Sequence, residues 1–171
     1  MKSAFRVLSA VLALSAAATA QVQSAWAQNP VQIAHARQGA SCPGCNLFQA
    51  DFANLELKGR NFAHARLRQA DMSTAVMNRT SFTGADLRDV NAYGAVFGGA
   101  NFVGADLTNA TFVGTFLEGA NFRGAKLAGA NFSGAEMGRA SGLTQAQLSQ
   151  ACGDAATVAP RGLHIAPCAK P

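Results

Sequence analysis

The sequence predicts an all-β solenoid wound from very short extended segments, and three observations carry that prediction. The pattern Ala-Asp/Asn-Leu/Phe-x-Gly recurs every five residues, and residues 45–139 read as 19 such blocks without an insertion. The two apolar positions of each block stand two residues apart, which is the strand period, yet the pattern restarts at every fifth residue. Neither a continuous strand nor a helix of 3.6-residue period keeps such a pattern on one face. Finally, Gly closes ten of the blocks, where a sharp bend once per block favours a residue without a Cβ.

Ahead of the repeat, residues 1–27 have the layout of a secretory signal peptide: Lys2 and Arg6, an apolar run over residues 7–18, then small residues. Cleavage is expected after Ala27, with Ala18-Thr19-Ala20 as a second fitting site. No Cys follows either site, which argues against a lipoprotein anchor. The apolar run is short for a bilayer span and no second long one follows, so the mature chain is expected in the periplasm or secreted, without stable membrane insertion. Residues 28–44 read as a flexible lead closed by a Cys-x-x-Cys cap. Losing Lys2 and Arg6 lowers the formal net charge from +5 to +3, with 12 Lys and Arg against 9 Asp and Glu. Such a weak positive charge is a poor footprint for nucleic acid, which is not expected as a partner. An apolar fraction of 49% excludes a disordered chain.

Within the blocks, the central position holds eight Phe, seven Leu, three Met and Ala92, and the position two residues earlier is Ala in 13 of 19 cases. Each block thus buries one large and one small side chain. Stretches such as Ala85-Asp86-Leu87-Arg88-Asp89, Ala100-Asn101-Phe102-Val103-Gly104 and Ala130-Asn131-Phe132-Ser133-Gly134 resemble the pentapeptide-repeat family. The resemblance covers residues 45–139 and implies a right-handed quadrilateral β-helix with four blocks per coil, here nearly five coils. It implies no activity, because the family is defined by its fold. A 20-residue period agrees with that geometry: central positions 47, 67, 87, 107 and 127 are all Leu, and 62, 82, 102 and 122 are all Phe. With coils about 4.8 Å apart, the rod is roughly 23 Å long.

The remaining positions describe the surface. One face is assigned Arg66, Arg68 and Arg88, with Lys58 and His64 nearby, opposed by Asp71, Asp86 and Asp89. It reads either as a solvated, ion-paired face or as a patch for an anion or an acidic partner. Another carries Val76, Val96 and Phe116 in one outward column beside Gly98, with Tyr93 and Val113 on an adjacent face. This column either packs against the C-terminal tail or forms a protein-binding or dimer surface. The Asn residues at 61, 101 and 121, with Ser81 between, suggest hydrogen bonding along the edges of the solenoid. Arg60 stands at a small inward position and fits a loose or open first coil.

A solenoid has two open ends that need caps. Residues 140–171 supply one: Thr144-Gln145-Ala146-Gln147 fits a capping box, Leu143, Leu148 and Ala151 suit a short helix ended by Gly153, and an irregular strap follows. Cys42 and Cys45 stand at one end of the rod, Cys152 and Cys168 near the other. A disulfide needs Cα atoms within about 7 Å, so the pairs expected are Cys42 with Cys45 and Cys152 with Cys168, formed in an oxidising compartment.

These features favour a non-enzymatic exported scaffold that binds an unknown protein or a second copy of itself, with no cofactor, metal or catalytic residue assigned. Two alternatives accompany it. The family resemblance raises DNA mimicry of the kind attributed to topoisomerase protectors, against which stand export and nine Lys and Arg facing eight Asp and Glu in residues 45–139. Cys42 and Cys45 raise a thiol redox protein, although redox Cys-x-x-Cys motifs open a helix in a strand-helix-strand setting that this sequence lacks.

Overall fold

Backbone hydrogen bonding in the computed structural model, which describes residues 28–169, runs between residues about twenty apart. The residue before each block centre bridges, in parallel, its counterpart twenty positions later: Asn46 with Arg66, Arg66 with Asp86, Asp86 with Asp106, and Asp106 with Lys126. The same holds for the series from Asp51, Glu56 and Asn61, so each twenty-residue turn carries four bridge positions. Leu87 donates its N–H to Asp106 one coil on (2.8 Å), and Asp86 donates to Ala65 one coil back (3.0 Å). A side of the coil is too short for more than one bridge before the chain turns.

The turns explain the block end. The first residue of each block donates back to the preceding centre, as Ala105 does to Phe102 (3.0 Å). This leaves the fifth position in the left-handed region, with Gly104 at φ +66°. Eight non-glycine residues, among them Arg79, Asp89 and Asn109, adopt the same conformation at that position, so the coil imposes it even where a Cβ makes it costly.

The core is the axis of the coil. All 19 central side chains are at most 1% exposed. Phe82 stacks on Phe102 (5.2 Å between centroids) and Phe102 on Phe122 (5.0 Å), while Phe97 meets Phe82 and Phe102 edge-on. The small positions are buried as well, except in the first coil. There Cys45 and Leu55 are partly covered and Arg60 is exposed, its guanidinium beside Gly39. Arg60 therefore turns away from the axis at the open end.

The lead departs from the flexible segment expected for residues 28–44. Pro30–Arg37 (α1) is a helix with Asn29 as N-cap and Pro30 in its first turn, and its Ala36 is fully buried. Gln32 accepts a hydrogen bond from the N–H of Asn46 (2.7 Å), at the start of the repeat ladder. Residues 40–44 follow the repeat geometry, since Cys42 is buried and donates to Asn61 (2.8 Å), and Gly44 donates to Ala63 (2.8 Å). The physical reason is an open edge of N–H groups and apolar core that this segment covers. The signal-like residues 1–27 lie outside the described residues.

At the other end, Gln145–Leu148 (α2) is a single helical turn. Thr144 and Gln147 close a reciprocal capping box, and Gln147 Nε2 donates to the carbonyls of Phe122 (3.0 Å) and Ala125 (2.9 Å). The helix stops at Leu148 with Ser149 as its cap, not at Gly153. Gly153 lies instead in Cys152–Gly153 (β1), which pairs with Ala166–Pro167 (β2), while Cys152 also bridges Asn131. The chain thus returns to the ladder within four residues of the helix. Cys42 is bonded to Cys45 (Cα atoms 5.4 Å apart) and Cys152 to Cys168 (4.7 Å).

Candidate functional site

The four faces differ in how their outward side chains are satisfied. On the charged face, built on positions 46, 66, 86, 106 and 126, Arg88 forks onto Asp86 with two contacts of 2.7 Å, and Arg68 reaches Asp89 at 3.2 Å. Lys126 joins Asp106 at 3.3 Å. The Arg88 hydrogen bond holds the Asp86 carboxyl below the usual carboxylate range against the opposing effect of burial, and Asp86 in turn raises Arg88. Arg66 occupies the ladder between Asn46 and Asp86. Three residues assigned to this face by sequence belong elsewhere. Lys58 stands on the opposite side with Glu56 (3.1 Å), the His64 ring lies against Gly84 on an adjoining face, and Asp71 accepts from Asn91 (3.1 Å) on the other adjoining one. Each shift of five residues moves a side chain round one corner.

The polar ladder residues hydrogen-bond along the edges of the solenoid, and three of them do so locally. Asn61, Asn101 and Asn121 each accept the N–H two residues on, from Ala63, Val103 and Arg123, at 2.9 to 3.1 Å. They close the local bend, as Asx turns do, rather than link one coil to the next.

On the opposite face, Glu56, Val76, Val96, Phe116, Glu136 and Val158 form one continuous bridged column. Val76 and Val96 are half-buried, whereas Phe116 is exposed. The C-terminal segment extends this column at its far end, because Val158 bonds to Ala135 and Met137. Val76, Val96 and Phe116 remain outward. Tyr93 (57% exposed) and Val113 lie on the neighbouring face, as the sequence places them.

Beside the column is a groove of about 700 Å³ that spans four coils, from Lys58 and Gly59 past Asn78 and Arg79 to Gly98, Gly99 and Phe116. Its depth comes from glycine. A Cβ on Gly98 would stand 2.8 Å from Asn78 Oδ1 and 3.1 Å from the Phe116 ring, so only a bare backbone lets both side chains meet there. The aliphatic stem of Arg79 runs over Gly99. Asn78 Oδ1 is buried without a hydrogen-bond partner, the sole such side-chain atom among the described residues. Arg79 makes no side-chain hydrogen bond or ion pair within the described residues. Sequence reasoning did not single out Asn78 or Arg79. Their signal lies in the fourth and fifth block positions read with a period of twenty, where Lys58, Asn78 and Gly98 align, and Gly59, Arg79 and Gly99.

Cys42 and Cys45 offer no comparable surface. Cys42 is 4% exposed, and both cysteines are held in the disulfide at the base of the coil. Among the described residues no group of three His, Cys, Asp or Glu side chains is placed to hold a metal ion, and no helix is long and apolar enough to cross a membrane.

A coil stapled by parallel bridges every twenty residues, with its chemistry confined to its faces, defines a β-solenoid repeat protein. The chain belongs to the pentapeptide repeat family, whose model matches residues 57–91, 100–139 and 117–152, more than half of the sequence. Similar solved structures include a pentapeptide repeat protein from the Arabidopsis thaliana thylakoid lumen, at 29% identity over 54% of this chain and 57% of that one, TM-score 0.33. Another is Rfr23 from the cyanobacterium Cyanothece, at 23% identity over 77% of this chain and 97% of that one, TM-score 0.35. A third is QnrB1, a plasmid-mediated fluoroquinolone resistance protein, at 20% identity over 63% and 65%, TM-score 0.35. The chain therefore spans little more than half the length of the thylakoid protein it matches. No curated protein matches the sequence.

Proposed function

We propose that this protein is a non-enzymatic exported scaffold, a right-handed quadrilateral rod of about 19 repeats whose valine and phenylalanine face docks a protein partner. The observation that carries this reading is the outward column Val76, Val96 and Phe116, which the described part of the tail does not cover, since it closes only the far end of the rod. A stacked apolar column flanked by a groove has the form of a contact surface, whereas scattered apolar residues would not. Two bonded cysteine pairs suit an oxidising compartment, in keeping with the signal-like N-terminus and a periplasmic or secreted location. The near balance of charge and the ion pairs of the opposite face weigh against mimicry of DNA, which requires dense negative charge.

Affinity purification of the full chain from its native envelope, compared with Val96→Asp, tests the proposal. Loss of the co-purifying protein from the variant, with its thermal unfolding little changed, supports it; an unchanged set of partners overturns it.

A further inference from the structure

Resting on that reading, we propose that the groove beside the column binds an extended acidic segment of a partner protein, with a carboxylate on Arg79, a backbone N–H on Asn78 Oδ1 and an apolar side chain against Phe116. Three features select this occupant over a plain apolar one. Among the described residues Arg79 is a guanidinium without a counter-charge, and Lys58, at the same end of the groove, is shared only with the exposed Glu56. Asn78 Oδ1 is an acceptor that the fold leaves unsatisfied, a state that costs free energy unless a donor is supplied. Phe116 closes the opposite end with an exposed ring, and the floor between is glycine backbone.

The spacing fits a peptide. Lys58 and Phe116 stand on the first and fourth coils of this face, and adjacent coils are about 4.8 Å apart, so the two ends of the groove lie roughly 14 Å from each other. An extended chain rises about 3.3 Å per residue and returns to the same face every second residue, so residues i and i+4 are separated by about 13 Å. The segment expected therefore carries an acidic residue at the Lys58 end, four positions from an apolar one, and a second acidic residue beside the first for Arg79, which stands one coil nearer Phe116, with an intervening N–H aimed at Asn78. Asn78 Oδ1 is buried, and it and the Phe116 ring both crowd the space over Gly98, so these side chains have to part on binding.

The test uses the full purified chain and a fluorescein-labelled acetyl-Glu-Glu-Gly-Gly-Leu-Leu amide, followed by anisotropy. Saturable binding is expected, weakened at least tenfold by Arg79→Ala and by Gly98→Val, and weakened by added salt. Circular dichroism and thermal unfolding confirm that each variant is folded; Arg79→Gln is the milder substitute if Arg79→Ala is not. Equal binding of the same peptide with Lys in place of Glu, or no saturation, overturns the inference. So does a concentration-dependent dimer in sedimentation that Arg79→Ala disperses, which would make a second copy the occupant. Failure of the peptide while Val96→Asp still loses its partner removes the acidic segment and leaves the docking face standing. Peptide binding with an unchanged set of partners for Val96→Asp does the reverse.

Discussion

The charged face and the valine face stand on opposite sides of the same coil and solve the same packing problem in different ways. Inside the charged face the column is uniform, Leu47, Leu67, Leu87, Leu107 and Leu127, and outside it Arg68, Arg88 and Lys126 are paired with Asp89, Asp86 and Asp106. Inside the valine face the column is mixed, Leu57, Met77, Phe97, Leu117 and Met137, and outside it stand apolar side chains and a cation without a counter-charge among the described residues. One face is self-sufficient. The other leaves apolar area, a guanidinium and a carboxamide oxygen without partners among the described residues. A repeat that serves folding equally well on all sides can thus leave one side free for the docking proposed above.

The largest test of this contrast lies in the core. Phe97→Ala removes a ring wedged edge-on against Phe82 and Phe102 and is expected to cost about 3–5 kcal/mol, while Leu87→Ala, inside the uniform column, costs about 2–5 kcal/mol. Denaturant unfolding measures both. Similar losses would show that the mixed column is packed as tightly as the uniform one, and a much smaller loss at Phe97 would show a looser interior behind the contact face.

Thr80→Val comes next. Thr80 is fully buried at the corner that leaves the valine face, and its hydroxyl donates to the Leu57 carbonyl at 2.8 Å. Valine keeps the shape but not the donor, so a loss of about 1–3 kcal/mol is expected in the same unfolding experiment. A neutral result would show that the carbonyl finds another donor.

Gly98→Ala is expected to change stability by less than about 1 kcal/mol, because only flexible side chains have to move. Its effect is local: the added methyl pushes Phe116 and Asn78 out of the groove, visible as shifted aromatic proton resonances of Phe116. Unmoved resonances would contradict the close approach over Gly98.

The smallest effect belongs to the charged face. Because Arg88 lowers the Asp86 carboxyl in the folded chain below its ordinary value of 3.8, the unfolded chain binds that proton more readily. The contribution is therefore fully present above about pH 4 and is lost as the pH falls through the lowered value. It is a half-buried pair, still reached by solvent that screens it, and is worth about 1 kcal/mol or less. Asp86→Asn should flatten the acid limb of stability against pH in that window; an identical limb would show that the pair contributes nothing.

Much of this architecture is legible in the residues themselves. The block pattern marks every central side chain that is buried, the twenty-residue spacing of Leu and Phe marks the columns, and Thr144 with Gln147 marks the capping box. The cysteine partners follow from which residues share an end of the rod. The lead was not legible, because residues 30–37 carry no repeat and the reason for their helix is the open edge that Gln32 and Ala36 cover. Residues 40–44 were missed for a related cause, since Cys42 stands where Phe, Leu or Met marks all but one of the other block centres.

What the sequence by itself determined is everything that repeats: the turn at each fifth residue, the alternation of large and small inside, and the closing of bends by Asn and Asp. These depend on neighbours a few residues away. What only the tertiary structure decided is the surface that does not repeat. Side chains at 78, 98 and 116 come from successive coils, and whether they leave a groove depends on the size and direction of each one against those above and below it. Burial along the axis is fixed by the local period, whereas contact across the coils is fixed by which individual residues the winding stacks, and it is that stacking which, among the described residues, leaves Arg79 unpaired and Asn78 Oδ1 without a donor.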